Sequence, residues 1–347
     1  MLIETSQGGA GALEGGCRIS RKGAHFSLPL LMFLPGQRMH FEYPLLEALA
    51  AVVREGTFEA AARSLSITQS AVSQRVKLLE ERVGAVLVVR GRPCIATEYG
   101  QQLCRHLDQV QLMEQDLRRN LASIENASSE APALIRVAVN RDSLATWFPE
   151  VIQYAGSKLN LHFDIIPDDQ EHTADRLRSG EALAAITAEA EPLQGCRRFP
   201  LGAIEYLAVA TETFKAETFN GGLSIESLSR ATCLIFDRKD TLPQQWITNA
   251  FGRSARMAGH WLPSFSGYLT CCLASVGWGM MPRFSIERHL KDGSLVELMP
   301  GTSVIVPLYW QSMTPSSGIM KALSAAVAHI AQKHLLSSLL PASGQAQ

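Results

Sequence analysis

An α/β protein carrying a small all-helical head is the fold that this sequence predicts. Three observations lead there. Residues 44–84 hold three closely spaced apolar patterns of helical period, and a single long one follows from residue 98. From about residue 133, short apolar runs alternate with helical patterns, the rhythm of a mostly parallel sheet covered by helices.

The chain has 347 residues, enough for two or three domains, and 46% are hydrophobic, enough to bury a core. A net charge of −1 excludes chain-wide binding of polyanions and moves that question to local charge. The seven cysteines include no C-x-x-C, and the nine histidines no H-x-H or H-E-x-x-H. Reduced thiols in a cytoplasmic protein with no metal and no cofactor are therefore expected. No run of about 18 apolar residues is present, so no membrane partner is expected. Residues 26–35, "FSLPLLMFLP", follow basic residues but are short and lack a small-residue cleavage site. Residues 1–40 are read as a disordered extension, or as a mis-assigned start with Met39 the true one.

Residues 41–97 form the head. In "PLLEALAAVVREG" (44–56), Leu45, Leu49, Val52 and Val53 share one helical face, with Pro44 at the entry and Gly56 at the exit. Thr57 is placed to cap a second helix carrying Phe58, Ala61, Ala62 and Leu65. A three-residue connection, "SIT", leads to "QSAVSQRVKLLEERVG" (69–84), where Val72, Val76 and Leu79 point inward. Two short helices joined this tightly, the first alanine-rich at the crossing, describe a helix-turn-helix. Thr68, Gln69, Ser70, Ser73, Gln74, Arg75 and Lys77 then form a polar-to-basic outer face. Gln and Ser can bond base edges, while Arg and Lys meet phosphates. Residues 63–92 carry six basic side chains against two acidic ones, a local charge of +4. The same features would also suit the solvated face of a helical bundle. "AVLVVRGRPCIATEYG" (85–100) reads as a two-stranded wing with Arg90 and Arg92 at its tip, suited to the phosphate backbone.

These segments resemble the winged helix-turn-helix of LysR-type transcriptional regulators. The shared positions are Ala61-Ala62-Leu65, Gln69-Ser70-Ala71-Val72-Ser73, Leu79-Glu80-Gly84, Val89-Arg90 and Thr97-Gly100. Val88 stands where the family usually has Phe. The resemblance implies binding to double-stranded promoter DNA.

Residues 98–126 read as a linker helix begun by Thr97, with Leu103, Leu107, Val110, Leu117, Leu121 and Ile124 on a heptad seam broken at Glu114. The seam either packs on its own chain or pairs with a second copy. Two half-sites on DNA favour a two-fold dimer, and the resemblance implies a homodimer or homotetramer through this helix. "NASSEAP" (126–132) reads as a hinge.

Residues 133–340 are the expected effector domain. Strands are predicted at 134–140, 161–166, 183–187, 205–211, 233–237, 276–282 and 304–311. Helices are predicted at 143–156, 169–179, 243–251 and 316–337. Ligands in such folds lie beyond the carboxyl ends of strands, which points to residues 140–143 and 237–240. The resemblance adds two α/β lobes like those of periplasmic binding proteins, lobe I at about 133–207 and 308–340 and lobe II at about 208–307. "VNRDSLATW", "LRSGEALAAIT", "LGAIEYLAVA", "IFDRKD" and "PLYWQ" are similar to the arginine- and lysine-responsive branch of the family. That branch controls export and metabolism of amino acids. It implies an effector site of Asp142, Ser143, Thr187, Asp237 and Asp240. The chemistry is compatible: a basic amino acid offers a carboxylate for N–H and hydroxyl donors and cations for carboxylates. Ser143 can equally be a helix cap, and Asp237 and Asp240 can be a solvated turn in which Arg238 and Lys239 neutralise them.

An enzyme would need Ser143 as nucleophile, yet there is no G-x-S-x-G and no histidine beside it. A solute-binding protein would leave residues 44–100 unexplained. A DNA-binding regulator accounts for both halves, with lysine or arginine, or a different small molecule, as effector and RNA polymerase as a further partner.

Overall fold

The computed structural model describes residues 41–125, 132–169, 172–314 and 317–337. The expected extension (1–40), all of the expected hinge except Pro132, and the last residues of the expected effector domain lie outside the described residues.

The head is built by short capped helices. In α1 (Tyr43–Glu55), Leu45, Leu49 and Val52 are buried as expected, Val53 is only half-buried, and Leu46 and Ala48 join the core. The Thr57 hydroxyl accepts the Ala60 N–H at 3.1 Å and starts α2 (Phe58–Ser64). Thr68 does the same for Ala71 at 3.2 Å and starts α3 (Gln69–Val83), whose Val72, Val76 and Leu79 are buried. The wing is shorter than its apolar runs suggested: β1 (Val88–Val89) pairs antiparallel with β2 (Ile95–Ala96). Glu80 fixes it to α3 by accepting the Leu87 N–H at 2.8 Å. Thr97 closes the wing by donating to the Val86 carbonyl at 2.8 Å and accepts the Gly100 N–H to start α4 (Glu98–Glu125).

At 28 residues, α4 is about 42 Å long. The single seam expected on it is split. Leu107 is buried, and Leu112, which the seam omitted, is buried with it. Met113, Leu117 and Leu121 lie at 51–58% exposure. The split arises because α4 contacts α1 and the last helix of the same chain, which cover one side only. The Ile124 side chain lies outside the described residues.

The remaining elements are, in order, β3 (Ala133–Asn140), α5 (Arg141–Ala145), α6 (Phe148–Leu159), β4 (Leu161–Asp168), α7 (Thr173–Arg178), β5 (Ala184–Thr187) and β6 (Cys196–Ala210). Then come α8 (Glu212–Thr218), α9 (Ile225–Arg230), β7 (Thr232–Ile235), α10 (Leu242–Phe251), β8 (Ala258–Trp261), α11 (Phe265–Leu273) and β9 (Trp278–Pro282). The chain finishes with α12 (Arg283–Lys291), β10 (Val296–Glu297), β11 (Val304–Met313) and α13 (Gly318–His334). The helix expected over 143–156 is two helices. Thr146 leaves helical geometry, and Pro149, which has no N–H to give, restarts the helix in the first turn of α6.

The sheet order is β4-β3-β5-β11-β6-β9-β7-β8, with β10 beside β6. Two parallel trios, β4-β3-β5 and β9-β7-β8, flank a long antiparallel pair, β6 and β11. The expectation of mostly parallel strands therefore holds within each trio and fails at the centre. β11 pairs β5 from Tyr309 onward and β6 pairs β9 from Tyr206 onward, so both strands pass from one trio to the other. Gly202 lies in the crossing with φ 133°, and a Cβ there would stand 2.7 Å from the Leu335 side chain. Trp147, Trp246, Trp278 and Trp310 are fully buried; Trp310 donates to Ser324 at 2.8 Å and Trp246 to Thr302 at 3.0 Å.

Candidate DNA-reading face and ligand cleft

On α3, Gln69, Ser70, Ser73, Gln74 and Lys77 fall along one stripe opposite the buried Val72, Val76 and Leu79. Gln69, Ser70, Gln74 and Lys77 are exposed and Ser73 is half-buried. Arg75 turns to the flank of the stripe and is half-buried. Thr68 is committed to capping, with its oxygen on the Ala71 N–H and 3.0 Å from the Ser70 hydroxyl. Arg90 and Arg92 are exposed on the wing, and Arg90 lies 5.3 Å above the Phe58 ring, which holds its cation close to α2.

The cleft lies between the two trios and is open to solvent. The turn after β3 supplies Arg141 and Asp142, and the carboxyl end of β4 supplies Asp168 and Asp169. Tyr206 comes from β6, Phe236 and Asp240 from the segment after β7, and Tyr268 from α11. Among the described residues, four carboxylates thus face one cleft, and Arg141 is the single cation among the lining side chains.

These acids are not equivalent. Burial pushes Asp142 up to about 6, against the hydrogen bond from Tyr206 and with added repulsion from Asp240 and Asp169. Burial also raises Asp240, although its oxygens accept the N–H groups of Phe236 and Leu242, each at 3.0 Å. At Asp168 burial is outweighed by the Asp169 N–H, by Arg176 at 3.0 Å and by the Lys239 ammonium at 3.9 Å, so its carboxyl is held low. Tyr268 shapes the floor: its hydroxyl donates to the Leu234 carbonyl at 2.7 Å and accepts the Met280 N–H at 2.9 Å.

The five effector residues expected from sequence are not brought together as a set. Asp142 and Asp240 line the cleft. Ser143 is fully buried as the third residue of α5, and its hydroxyl finds no partner among the described residues. The cap position belongs to Asn140, whose own buried amide is equally unpartnered among the described residues. Thr187 is buried at the end of β5, accepts the Glu189 N–H at 3.1 Å and is not among the lining residues. Asp237 is not an open acceptor: Arg141 Nη1 stands 2.6 Å from its Oδ2, and the Lys239 N–H occupies Oδ1 at 2.8 Å. Neutralisation by neighbouring Arg238 and Lys239 is corrected accordingly. Arg238 lies 5.1 Å over the Trp261 ring, and the Lys239 ammonium turns to Asp168.

Arg141, Asp168, Asp169, Tyr206, Phe236 and Tyr268 were absent from the expected site. The strand-end rule that selected 140–143 applies equally to "IIPDD" at the end of β4 and would have found the aspartates. Nothing local marks Tyr206 or Tyr268.

A winged helical head, a long linker helix and two parallel trios crossed by an antiparallel pair define a ligand-responsive DNA-binding protein. Residues 44–101 match the bacterial regulatory helix-turn-helix of the LysR family, and residues 128–333 match the LysR substrate-binding domain. The chain belongs to the LysR family of transcriptional regulators. It is 38% identical over 270 residues to the HTH-type transcriptional regulator ArgP of Pseudomonas fluorescens, covering 78% of this chain and 90% of that one. Among solved structures it is similar to ArgP from Mycobacterium tuberculosis, with TM-score 0.74, 38% identity, and 86% and 99% of the two chains covered. It is also similar to full-length LysG from Corynebacterium glutamicum with bound effector Arg, with TM-score 0.64, 32% identity, and 85% and 100% covered. These relatives are named as regulators or determined as such, not as enzymes. No described helix is long and apolar enough to cross a membrane.

Proposed function

We propose that this regulator senses a basic amino acid, lysine or arginine, in the cleft and controls genes of amino-acid export or metabolism. The observation that carries this reading is that, among the described residues, four aspartates face one cleft against a single lining cation, and three of them remain once Asp168 is paired with Arg176 and Lys239. Such a field favours a ligand with more than one positive group. The bound Arg in the C. glutamicum relative supports it. Asp142 and Asp240 take the cations, and the buried polar groups of Asn140 and Ser143 lie next to that wall. Asp237 supports the site through Arg141, and Thr187 supports it from behind, at the end of β5.

The head binds double-stranded promoter DNA in the cytoplasm. Gln69, Ser70, Ser73 and Gln74 meet base edges, and Arg75, Lys77, Arg90 and Arg92 meet phosphates, while Thr68 sets the start of α3. A homodimer or homotetramer formed through α4 gives the two-fold symmetry that paired half-sites require, and RNA polymerase is the downstream partner. Differential affinity of the ligand for two arrangements of the chain supplies the switching energy.

The test is calorimetric titration of the full chain with lysine, arginine, leucine and glutamate, beside Asp240→Asn. Binding of the basic pair alone, weakened about tenfold or more by the substitution with promoter binding intact, is expected. Binding of leucine or glutamate in preference to the basic pair overturns the reading.

A further inference from the structure

We propose that Arg141 sets which basic ligand the cleft accepts, by holding its own guanidinium in a seat that would otherwise receive the ligand's. This rests on the basic-amino-acid reading above and goes beyond it in assigning the selectivity to one side chain.

The seat has two parts, and both are filled from within. Arg141 Nη1 lies 2.6 Å from Asp237 Oδ2, and Arg141 Cζ lies 5.5 Å above the Phe236 ring. A carboxylate at the edge and an aromatic face beneath are the two contacts that suit a planar, weakly hydrated guanidinium better than an ammonium. Arg141 begins α5, after β3 of the first trio, whereas Phe236 and Asp237 follow β7 of the second. The side chain therefore bridges the cleft from one trio to the other. It is neither a surface ornament nor fully enclosed, with 35% of the Arg141 side chain and 22% of the Asp237 side chain exposed.

Tethering decides the competition. A side chain fixed to the wall of its own binding site acts at an effective concentration on the order of millimolar or more. A free guanidinium ligand must compete with that to take the seat. An incoming ligand is left with the carboxylates that Arg141 does not touch. Asp142 and Asp240 offer oxygens from different elements of the cleft, Asp142 Oδ2 already accepting from the Tyr206 hydroxyl and each Asp240 oxygen from a backbone N–H, so neither presents an open two-oxygen edge to a guanidinium fork. That geometry serves a compact ammonium with three rotatable donors. The cleft of this chain consequently prefers an ammonium-ended ligand over a guanidinium-ended one.

The test is titration of lysine and arginine into the full chain, into Arg141→Ala and Arg141→Gln, and into the double variant Arg141→Ala, Asp237→Asn. The wild-type chain is expected to bind lysine more tightly. Either single variant raises arginine affinity about tenfold while lysine affinity stays within about threefold. The double variant loses that gain, because the seat has lost its carboxylate. Promoter binding by each variant reports that it is folded. An unchanged arginine-to-lysine ratio overturns the proposal, as does weaker arginine binding in both single variants, which would make Arg141 the partner of the ligand's carboxylate. Failure of both amino acids to bind any form overturns instead the reading on which the proposal stands.

Discussion

The hydroxyl of Tyr206 donates to Oδ2 of Asp142 at 2.5 Å, tying the strand that crosses the sheet to the helix that opens the cleft. Tyr206 is buried and Asp142 half-buried, and each shifts the other: Tyr206 draws the Asp142 carboxyl down from where desolvation would put it, and Asp142 adds to the burial that raises Tyr206. A carboxyl near 6 thus stands on the cleft wall beside a strand shared by both halves of the domain.

Its pH dependence has a definite sign. The folded Asp142 carboxyl sits at about 6 against 3.8 for the free side chain, so the fold favours the protonated form. The corresponding stability is fully present below about pH 4 and is lost as pH rises through 6, on the order of 3 kcal/mol in all. Asp142→Asn keeps an acceptor for Tyr206 and removes the titration. Its melting temperature is expected to exceed that of the wild type at pH 7–8 and to converge with it toward pH 4. An offset that is the same at both ends would refute this assignment. A cationic ligand needs the ionised form, so affinity for lysine should rise between pH 5 and 7 in the wild type.

Met113, Leu117 and Leu121 recur every four residues on the open side of α4 at 51–58% exposure. Leu117→Glu is expected to shift the chain from dimer to monomer in light scattering, and to weaken binding to a two-half-site promoter more than to a single half-site. A variant still dimeric at micromolar concentration would show that the oligomer forms elsewhere.

The carboxylate of Asp116, on α4, accepts the N–H groups of Gly318 at 2.5 Å and Ile319 at 3.0 Å at the start of α13. It works as a helix cap supplied from 202 residues away, and it anchors the linker helix to the effector domain. Asp116→Ala is expected to cost about 1 kcal/mol in chemical denaturation. Asp116→Asn, which keeps one acceptor, should cost less. Equal stability of all three forms would mean that the contact carries no net energy.

Much of this molecule is legible one segment at a time. Thr57, Thr68 and Thr97 announce three helix starts because a hydroxyl three residues ahead of a helical N–H is a local relation. Val72, Val76 and Leu79 mark the inner face of α3 by spacing alone. Asp142 and Asp240 could be placed at a cleft because clefts in such folds lie beyond the carboxyl ends of parallel strands. The losses were of another kind. β8, with three exposed residues and one half-buried, has little apolar signal, and the short helices α8, α9, α11 and α12 were passed over. α4 looked like one seam because a heptad pattern cannot say which part of a face its own chain will cover.

The sequence by itself determined the class of protein, the helical head with its polar outer face, and the strand–helix alternation of the second half, since these follow from residue type at short spacing. Only the tertiary structure decided that Arg141 reaches Asp237 across 96 residues and that Tyr206 reaches Asp142 across 64. It likewise decided which of five expected residues face the cleft. Such pairings depend on where β6 and β11 cross between the two trios. A crossing is set by the packing of the whole sheet, and no window of local sequence contains it.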